Sequence, residues 1–302
     1  TSGGVVQFVG WIDDWNLNYS PNGDSVADAI AFDATGVLAG RTLSATTPVE
    51  QSSGARVNAI LSAPGVEWAT GLREVDTGEA TLSTADIPAN TNALSYLQNV
   101  AATEAGNIFV GKTGKIVFQD RTKAPTSDSL VLLGNGGIPF QNLEVVFGSE
   151  NLYNEITVSR EGGGTATAQD NDSISEYGIR NLTLTDLLFS TDAQSLELAL
   201  NYAVEFSQPE YRFQSLEVAL HKLGATDQEK INNLEIGSIC KVLFTPNNIG
   251  DAIVRFVEVI RISQEVNPET HYTTLGFSSL DYASLVLDDA EFGKLNAYSL
   301  SW

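Results

Sequence analysis

From Val9 to Tyr19 the apolar residues Val9, Trp11, Trp15, Leu17 and Tyr19 fall on odd positions around Asp13, the period-two signature of a half-buried strand. Ser20-Pro21-Asn22-Gly23-Asp24 turns the chain, and Val26, Ile30 and Phe32 return on alternate positions. Asp33 then stands where an N-cap opens a short helix over 34–39. The pattern changes at Val57, Ile60 and Leu61, whose helical spacing stops at Pro64-Gly65. It recurs at Leu94, Leu97 and Ala101, after Asn90-Thr91 and before Gly106. Ile108 to Val110 and Lys115 to Asp120 flank Gly111-Lys112-Thr113-Gly114 and predict two short strands joined by a turn.

Beyond residue 124 the pattern is mostly β. Strands are predicted over 130–133, 143–147, 155–160, 165–168 and 182–185, with Gly162-Gly163-Gly164 as the corner between the third and fourth. Thr191 and Gln194 form a capping box that opens one long helix, with Leu196, Leu200, Ala203 and Val204 on one face and Pro209 beyond its end. A strand over 211–220 follows, then a short helix opened by Thr226 and Glu229. A hairpin of 238–244 with 253–262 and a last strand over 271–277 complete the series. The expectation is a β-rich α+β fold: part of a first barrel in 1–45, an inserted α+β unit in 46–124, a second antiparallel barrel with one long helix in 125–286, and an arm in 287–302.

Length and charge narrow the picture. With 302 residues, 42% hydrophobic, 18% charged, 26 Gly and 9 Pro, this is ordinary globular matter and long enough for more than one core. Sixteen basic against 38 acidic residues give a formal charge of −22, which argues against specific binding of nucleic-acid phosphates. No run is long and apolar enough to span a bilayer, so membrane insertion is not expected. The absence of Met leaves room for processing or for a longer parent chain.

Candidate chemistry is thin. Gly106 to Thr113 matches the P-loop pattern, yet the predicted order helix, strand, turn, strand lacks the strand-then-helix frame that cradles phosphates. His221, His271 and Cys240 are the only His and Cys residues, too few for a zinc cluster or a Cys/His pair, and Cys240 reads as a buried strand residue. Asp170-Asn171-Asp172 has Ile174 where the next calcium ligand belongs, so it reads as a solvated turn. Asp13-Asp14 and Asp288-Asp289 are adjacent, and neighbours on a strand point to opposite faces, against a glycosidase pair. No catalytic residue, metal or cofactor is expected.

Three stretches resemble the hub protein at the tail tip of long-tailed bacteriophages, especially the minor tail proteins of actinobacterial phages. One runs from Phe8-Val9-Gly10-Trp11-Ile12-Asp13-Asp14-Trp15 through Ala31-Phe32-Asp33-Ala34-Thr35-Gly36-Val37-Leu38-Ala39-Gly40-Arg41-Thr42-Leu43. The second joins Tyr153-Asn154-Glu155-Ile156-Thr157-Val158-Ser159-Arg160 to Tyr177-Gly178-Ile179-Arg180, then Ser190-Thr191-Asp192-Ala193 and Pro209-Glu210-Tyr211-Arg212-Phe213. The third is Leu287-Asp288-Asp289-Ala290-Glu291-Phe292-Gly293-Lys294-Leu295, with Ala290 where the family has Pro. The resemblance implies tail-tube-like barrels and a homotrimer whose barrels ring a channel in the virion tail tip. Its implied partners are a distal tail protein or tail-tube ring, the tape-measure protein and tip fibres or receptor-binding proteins, with DNA only as passing cargo. It also implies that the chain begins partway through its first barrel, to be completed from upstream, from a later segment or by a neighbour. Phe292, Leu295, Tyr298 and Trp302 are interface candidates on the arm. Two rival readings remain: a receptor- or carbohydrate-binding module using Trp11, Trp15 and Trp68, and a cell-wall hydrolase.

Overall fold

The computed structural model describes residues 4–121, 131–148, 151–246 and 251–280. A hairpin comes first, β1 (Trp11–Asn18) with β2 (Val26–Phe32), and leads into α1 (Ala34–Ala39), whose cap Asp33 accepts from Thr35 N. Then follow β3 (Gln51–Ser52), α2 (Ser53–Ser62), β4 (Arg73–Val75), β5 (Thr81–Leu82), α3 (Ala93–Glu104), β6 (Asn107–Val110) and β7 (Ile116–Gln119). Ser52 and Asn92 cap α2 and α3 by accepting from Ala55 N and Ser95 N. Ala63 before Pro64 turns extended and ends α2.

The rest of the chain runs β8 (Val131–Gly134), β9 (Asn142–Gly148), β10 (Glu155–Arg160), β11 (Thr165–Gln169), α4 (Asn171–Tyr177), β12 (Asn181–Leu187) and α5 (Asp192–Phe206). It ends with β13 (Glu210–Ala219), α6 (Ala225–Asn233), β14 (Ile239–Phe244), β15 (Ile253–Val266) and β16 (His271–Leu280). Buried apolar residues gather into two clusters. In the first, α1, α2 and α3 pack with β5, β7, β10, β11 and α5 around Leu38, Ile60, Leu97, Phe118, Ile156, Phe189 and Leu198. The second lies on one face of the large sheet around Leu133, Phe213, Leu216, Val242, Val257 and Leu275, covered by Ile231 and Leu234. Residues 152–206 thus pack with 34–118, and the stretch 125–286 contributes to both cores. Each fully buried large aliphatic side chain contributes roughly 1.5–3 kcal/mol.

The large sheet has six strands in the order β8-β14-β15-β16-β13-β9. It does not close into the expected antiparallel barrel: β8 runs parallel to β14, and among the described residues β8 and β9 are its two edges. The reason lies at Gly134, where φ is +94° and an added Cβ would sit 2.0 Å from the Leu243 carbonyl oxygen. This glycine turn carries the chain away from β8, so that β9 pairs with β13 at the far edge instead of forming a hairpin. In 1–45 the expected part of a first barrel is likewise not seen: among the described residues the only sheet there is the two-stranded hairpin.

Three local expectations also change. α5 is capped by Thr191 as predicted, its hydroxyl accepting from Gln194 N, but the buried face is Ser195, Leu198, Ala199 and Ala203, leaving Leu196, Leu200 and Val204 in solvent. Gly224, not Thr226, is the N-cap of α6. The solvated turn expected at 170–172 opens the helix α4: Asp170 accepts from Asp172 N at 3.1 Å and Ser173 N at 3.0 Å, bonds that hold its carboxyl below the usual range, that to Ser173 most of all. Helix propensity is low in this polar stretch, and the cap supplies what it lacks. The arm 287–302, with Phe292, Leu295, Tyr298, Trp302 and Asp288-Asp289, lies outside the described residues.

Cys240 is buried on β14, and burial pushes its thiol up to about 12. A thiolate-directed alkylating reagent at pH 9 is therefore expected to leave the folded protein unmodified and to label it stoichiometrically in denaturant. Rapid labelling without denaturant would contradict the burial.

Candidate interaction surface

The residues weighed for chemistry are occupied structurally. In the P-loop-like stretch Ile108 to Val110 are pleated in β6, and Gly111 to Gly114 form a hairpin turn in which Gly111 N donates to Lys115 O. Lys112 Nζ donates to the Asn232 carbonyl at 2.6 Å. Burial lowers its pKa while Glu235 opposes the shift. It borders a cleft of about 330 Å³ lined by Phe8, Val9, Asp33, Phe109 and Glu235, apolar in its greater part and without a ring of amides for phosphate. His271 N donates to His221 Nδ1 at 3.2 Å, and the His221 ring stands edge-on to Tyr272. Among the described residues no group of three His, Cys, Asp or Glu is placed to hold a metal ion. Asp13 is the extra residue of a bulge, and Asp14 accepts from the Trp15 N–H.

The hairpin is a feature that packing among the described residues leaves unexplained. Its base is anchored: Trp11 meets the buried Trp68 edge-on with ring centroids 6.3 Å apart, and the Arg41 guanidinium lies 5.2 Å over the Trp68 ring. At Gly10 an added Cβ would meet the Phe32 carbonyl oxygen at 2.3 Å, so the two strands close tightly there. Beyond the base every residue from Phe8 to Ala31 is exposed. Trp68, buried and donating its indole N–H to Leu72 O, is thereby withdrawn from any sugar-binding platform with Trp11 and Trp15.

The bulge at Asp13 redistributes the side chains. Ile12 faces Ala31, Trp15 faces Ala29 and Leu17 faces Ala27, while Trp11, Asp14, Asn16 and Asn18 share the other side with Phe32, Ile30, Asp28 and Val26. Paired residues lie on the same side of an antiparallel ladder. Among the paired residues, one face therefore carries Ile12, Trp15, Leu17, Ala27, Ala29 and Ala31. Simple alternation puts Trp11, Trp15 and Leu17 together; the bulge separates Trp11 from the other two. Ile12, Trp15 and Leu17 are 55%, 55% and 56% exposed. An isolated two-stranded hairpin is marginal in water, and an apolar face of this kind marks an interaction site.

The second stretch of the family resemblance acquires a physical basis in the first core. The buried Asn154 donates to Gly178 O at 2.8 Å and Ser173 Oγ at 3.1 Å, and its Oδ1 accepts from Arg180 N at 2.7 Å. Arg160 at the end of β10 pairs with Asp192 at the start of α5, which also accepts from Gly164 N. Residues far apart in sequence thus fasten one sheet to α4 and α5.

No protein-family model matches the chain, and neither does any curated protein. Solved structures do. The 43 kDa tail protein of prophage MuSo2 from Shewanella oneidensis is 15% identical, with a TM-score of 0.59 over 90% of this chain and 77% of its own. A tail protein from Neisseria meningitidis is 13% identical, with a TM-score of 0.59 over 91% and 80%. Prophage tail protein gp18 from Listeria monocytogenes is 13% identical, with a TM-score of 0.52 over 88% and 76%. The chain has the fold of these phage tail proteins.

Proposed function

We propose that this chain is a structural, non-enzymatic subunit of a bacteriophage tail, and more narrowly the trimeric hub of the tail tip. In this reading three copies join the sixfold tube to the threefold tip and line the channel through which the tape-measure protein and DNA pass. The neighbours are a distal tail protein or tube ring above and fibres or receptor-binding proteins below. The observation that carries the proposal is the hairpin, whose paired residues Ile12, Trp15, Leu17, Ala27, Ala29 and Ala31 form an apolar face exposed along its whole length. A chain complete in itself has no use for such a face; a subunit does. The likeness to solved tail proteins supports it. The net charge of −22 suits a wall that must not hold a passing polyanion. The arm carrying Phe292, Leu295, Tyr298 and Trp302 belongs to the same proposal as a second docking element.

Analytical ultracentrifugation and electron microscopy of the purified protein test this directly. The expected result is a species of three copies around an axial opening. A chain that stays monomeric at high micromolar concentration overturns the assembly, and a closed ring of another order overturns the trimer alone.

A further inference from the structure

Among the described residues no sheet draws strands from both cores. Downstream of α1 the chain nevertheless passes between the cores three times, after Gln119, after Gly148 and after Phe206. Three clefts lie along the seam. The cleft beside Lys112, of about 330 Å³, has Phe109 and Lys112 on the side of the first core and Ile236 and Ile262 on the side of the second. Another, of about 240 Å³, sets Asp76 and Gln119 against Gly237 and Ser238. The third, of about 290 Å³, sets Tyr153 and Phe206 against Phe213 and Phe277. Protein interiors pack to crystal density with few voids larger than a water molecule. Clefts repeated along one boundary therefore mark where packing between the two cores is incomplete.

The ties across the seam are polar. Lys112 Nζ and Gln7 Nε2 both donate to the Asn232 carbonyl, at 2.6 and 3.1 Å, and Gln264 Nε2 donates to Gln7 Oε1 at 3.0 Å. Asn107 Nδ2 donates to Glu258 Oε1 at 2.6 Å, and Lys112 N donates to Glu235 Oε1 at 3.3 Å. Hydrogen bonds that water can replace hold little net free energy. Phe109 is the exception in kind. Alternation along β6 and β7 sends Ile108, Val110, Ile116 and Phe118 towards the first core and Phe109 to the opposite face. Phe109 is only 8% exposed, yet it belongs to neither core. It borders the first two clefts together with Ile236, so it stands between them as an apolar plug.

We infer that the two cores are separate bodies articulated along this seam, and that Phe109, with Lys112 and Gln7 on the Asn232 carbonyl beside it, is the latch that holds them in one arrangement. Bodies joined by a small polar boundary move relative to each other unless something fixes them. Phe109 fixes them by burying its ring against Ile236 of the other side. Once it is withdrawn, the bodies turn while each keeps its own packing, one cleft narrowing as another widens. The device belongs to a single copy and does not depend on what the chain assembles with.

Spin labels on the full chain read the arrangement. Gln98→Cys on α3 and Glu229→Cys on α6 put one nitroxide on each body, both at exposed positions, while Cys240 is buried and takes no label. The doubly labelled parent, diluted with unlabelled protein, is expected to give one narrow distance distribution by pulsed electron resonance. Adding Phe109→Ala should broaden it into several distances. Hydrogen exchange in 107–113 and 232–238 should quicken about tenfold, equivalent to about 1.4 kcal/mol, while 57–61 in the first core and 240–243 in the second exchange as in the parent. Lys112→Met keeps the apolar stem and removes only the ammonium tie to Asn232, so it guards against a folding failure of Phe109→Ala. A smaller broadening is expected from it. A parent whose distribution is already broad would overturn the inference, because nothing would then be latched. Folded variants that keep the parent's narrow distance would overturn it too, as would loss of protection in both cores together in both variants, which would make the seam part of one cooperative unit.

Discussion

Glu104→Ala is expected to cost about 3–5 kcal/mol of stability, the range for breaking a buried, fully engaged ionic site. Glu104 is the last residue of α3, where the negative end of the helix dipole disfavours a carboxylate, and it is completely buried. It is tolerated there because its oxygens face donors. Oε2 accepts from Ser53 Oγ at 2.6 Å and Ala80 N at 2.8 Å, while Oε1 accepts from Glu79 N at 3.2 Å and lies 3.6 Å from Arg121 Nε. One side chain thus closes the start of α2, the approach to β5 and the end of α3. Alanine leaves a hydroxyl and two backbone N–H groups without their acceptor in a dry site. Glutamine keeps one acceptor but turns an amide against donors, so an intermediate loss is expected. Urea unfolding monitored by circular dichroism measures both, and a loss below about 1 kcal/mol for alanine would mean that water or a neighbour replaces the carboxylate.

Glu104 also shows what a sequence does not disclose. A lone Glu at a helix end reads as a solvated charge, and only the tertiary meeting of three elements makes it a buried hub. Arg56, equally buried and bonded to Tyr96 Oη and the Val49 and Ser83 carbonyls, is illegible for the same reason. Elements with strong local signals were legible: the hairpin with its Ser-Pro-Asn-Gly-Asp turn, the capped helices α1, α2, α3 and α5, and the pairing of β14 with β15. Whether a sheet closes depends on long-range pairing, and one glycine at 134 redirects β9 to the far edge of the sheet. α5 misled because it carries apolar residues on two sides, and a pattern cannot say which side a given fold buries. On the hairpin, alternation announced an apolar face that needs cover. The bulge at Asp13, a matter of pairing register, decided which side chains compose it. None of this local information names what provides the cover.

The same reasoning makes Asn154 the test of whether the family-like spacing of residues has a structural cause. Asn154→Leu keeps roughly the volume and removes every hydrogen bond of a buried amide. The Arg180 N–H then loses its side-chain acceptor and the Gly178 carbonyl its donor. Gly178 is positioned at φ +75°, ψ 171°, a conformation open essentially to glycine alone, so its carbonyl cannot be re-aimed cheaply. A loss of about 2–4 kcal/mol is expected, from two groups stranded at roughly 1–3 kcal/mol each. Hydrogen exchange should quicken in α4 and at the start of β12 before β14 and β15 are affected, because Asn154 lies in the first core and those strands in the second. The partly exposed pair Arg160–Asp192 provides the contrast: solvent already competes for it, and Arg160→Ala should change exchange little outside the β10–β11 corner. If Asn154→Leu unfolded no more easily than the parent, the coincidence of Asn154 with Gly178 and Arg180 in both sequence and space would need a cause other than stability. Contact with another subunit would then be the next place to look, since the neighbouring Ile179 is itself exposed.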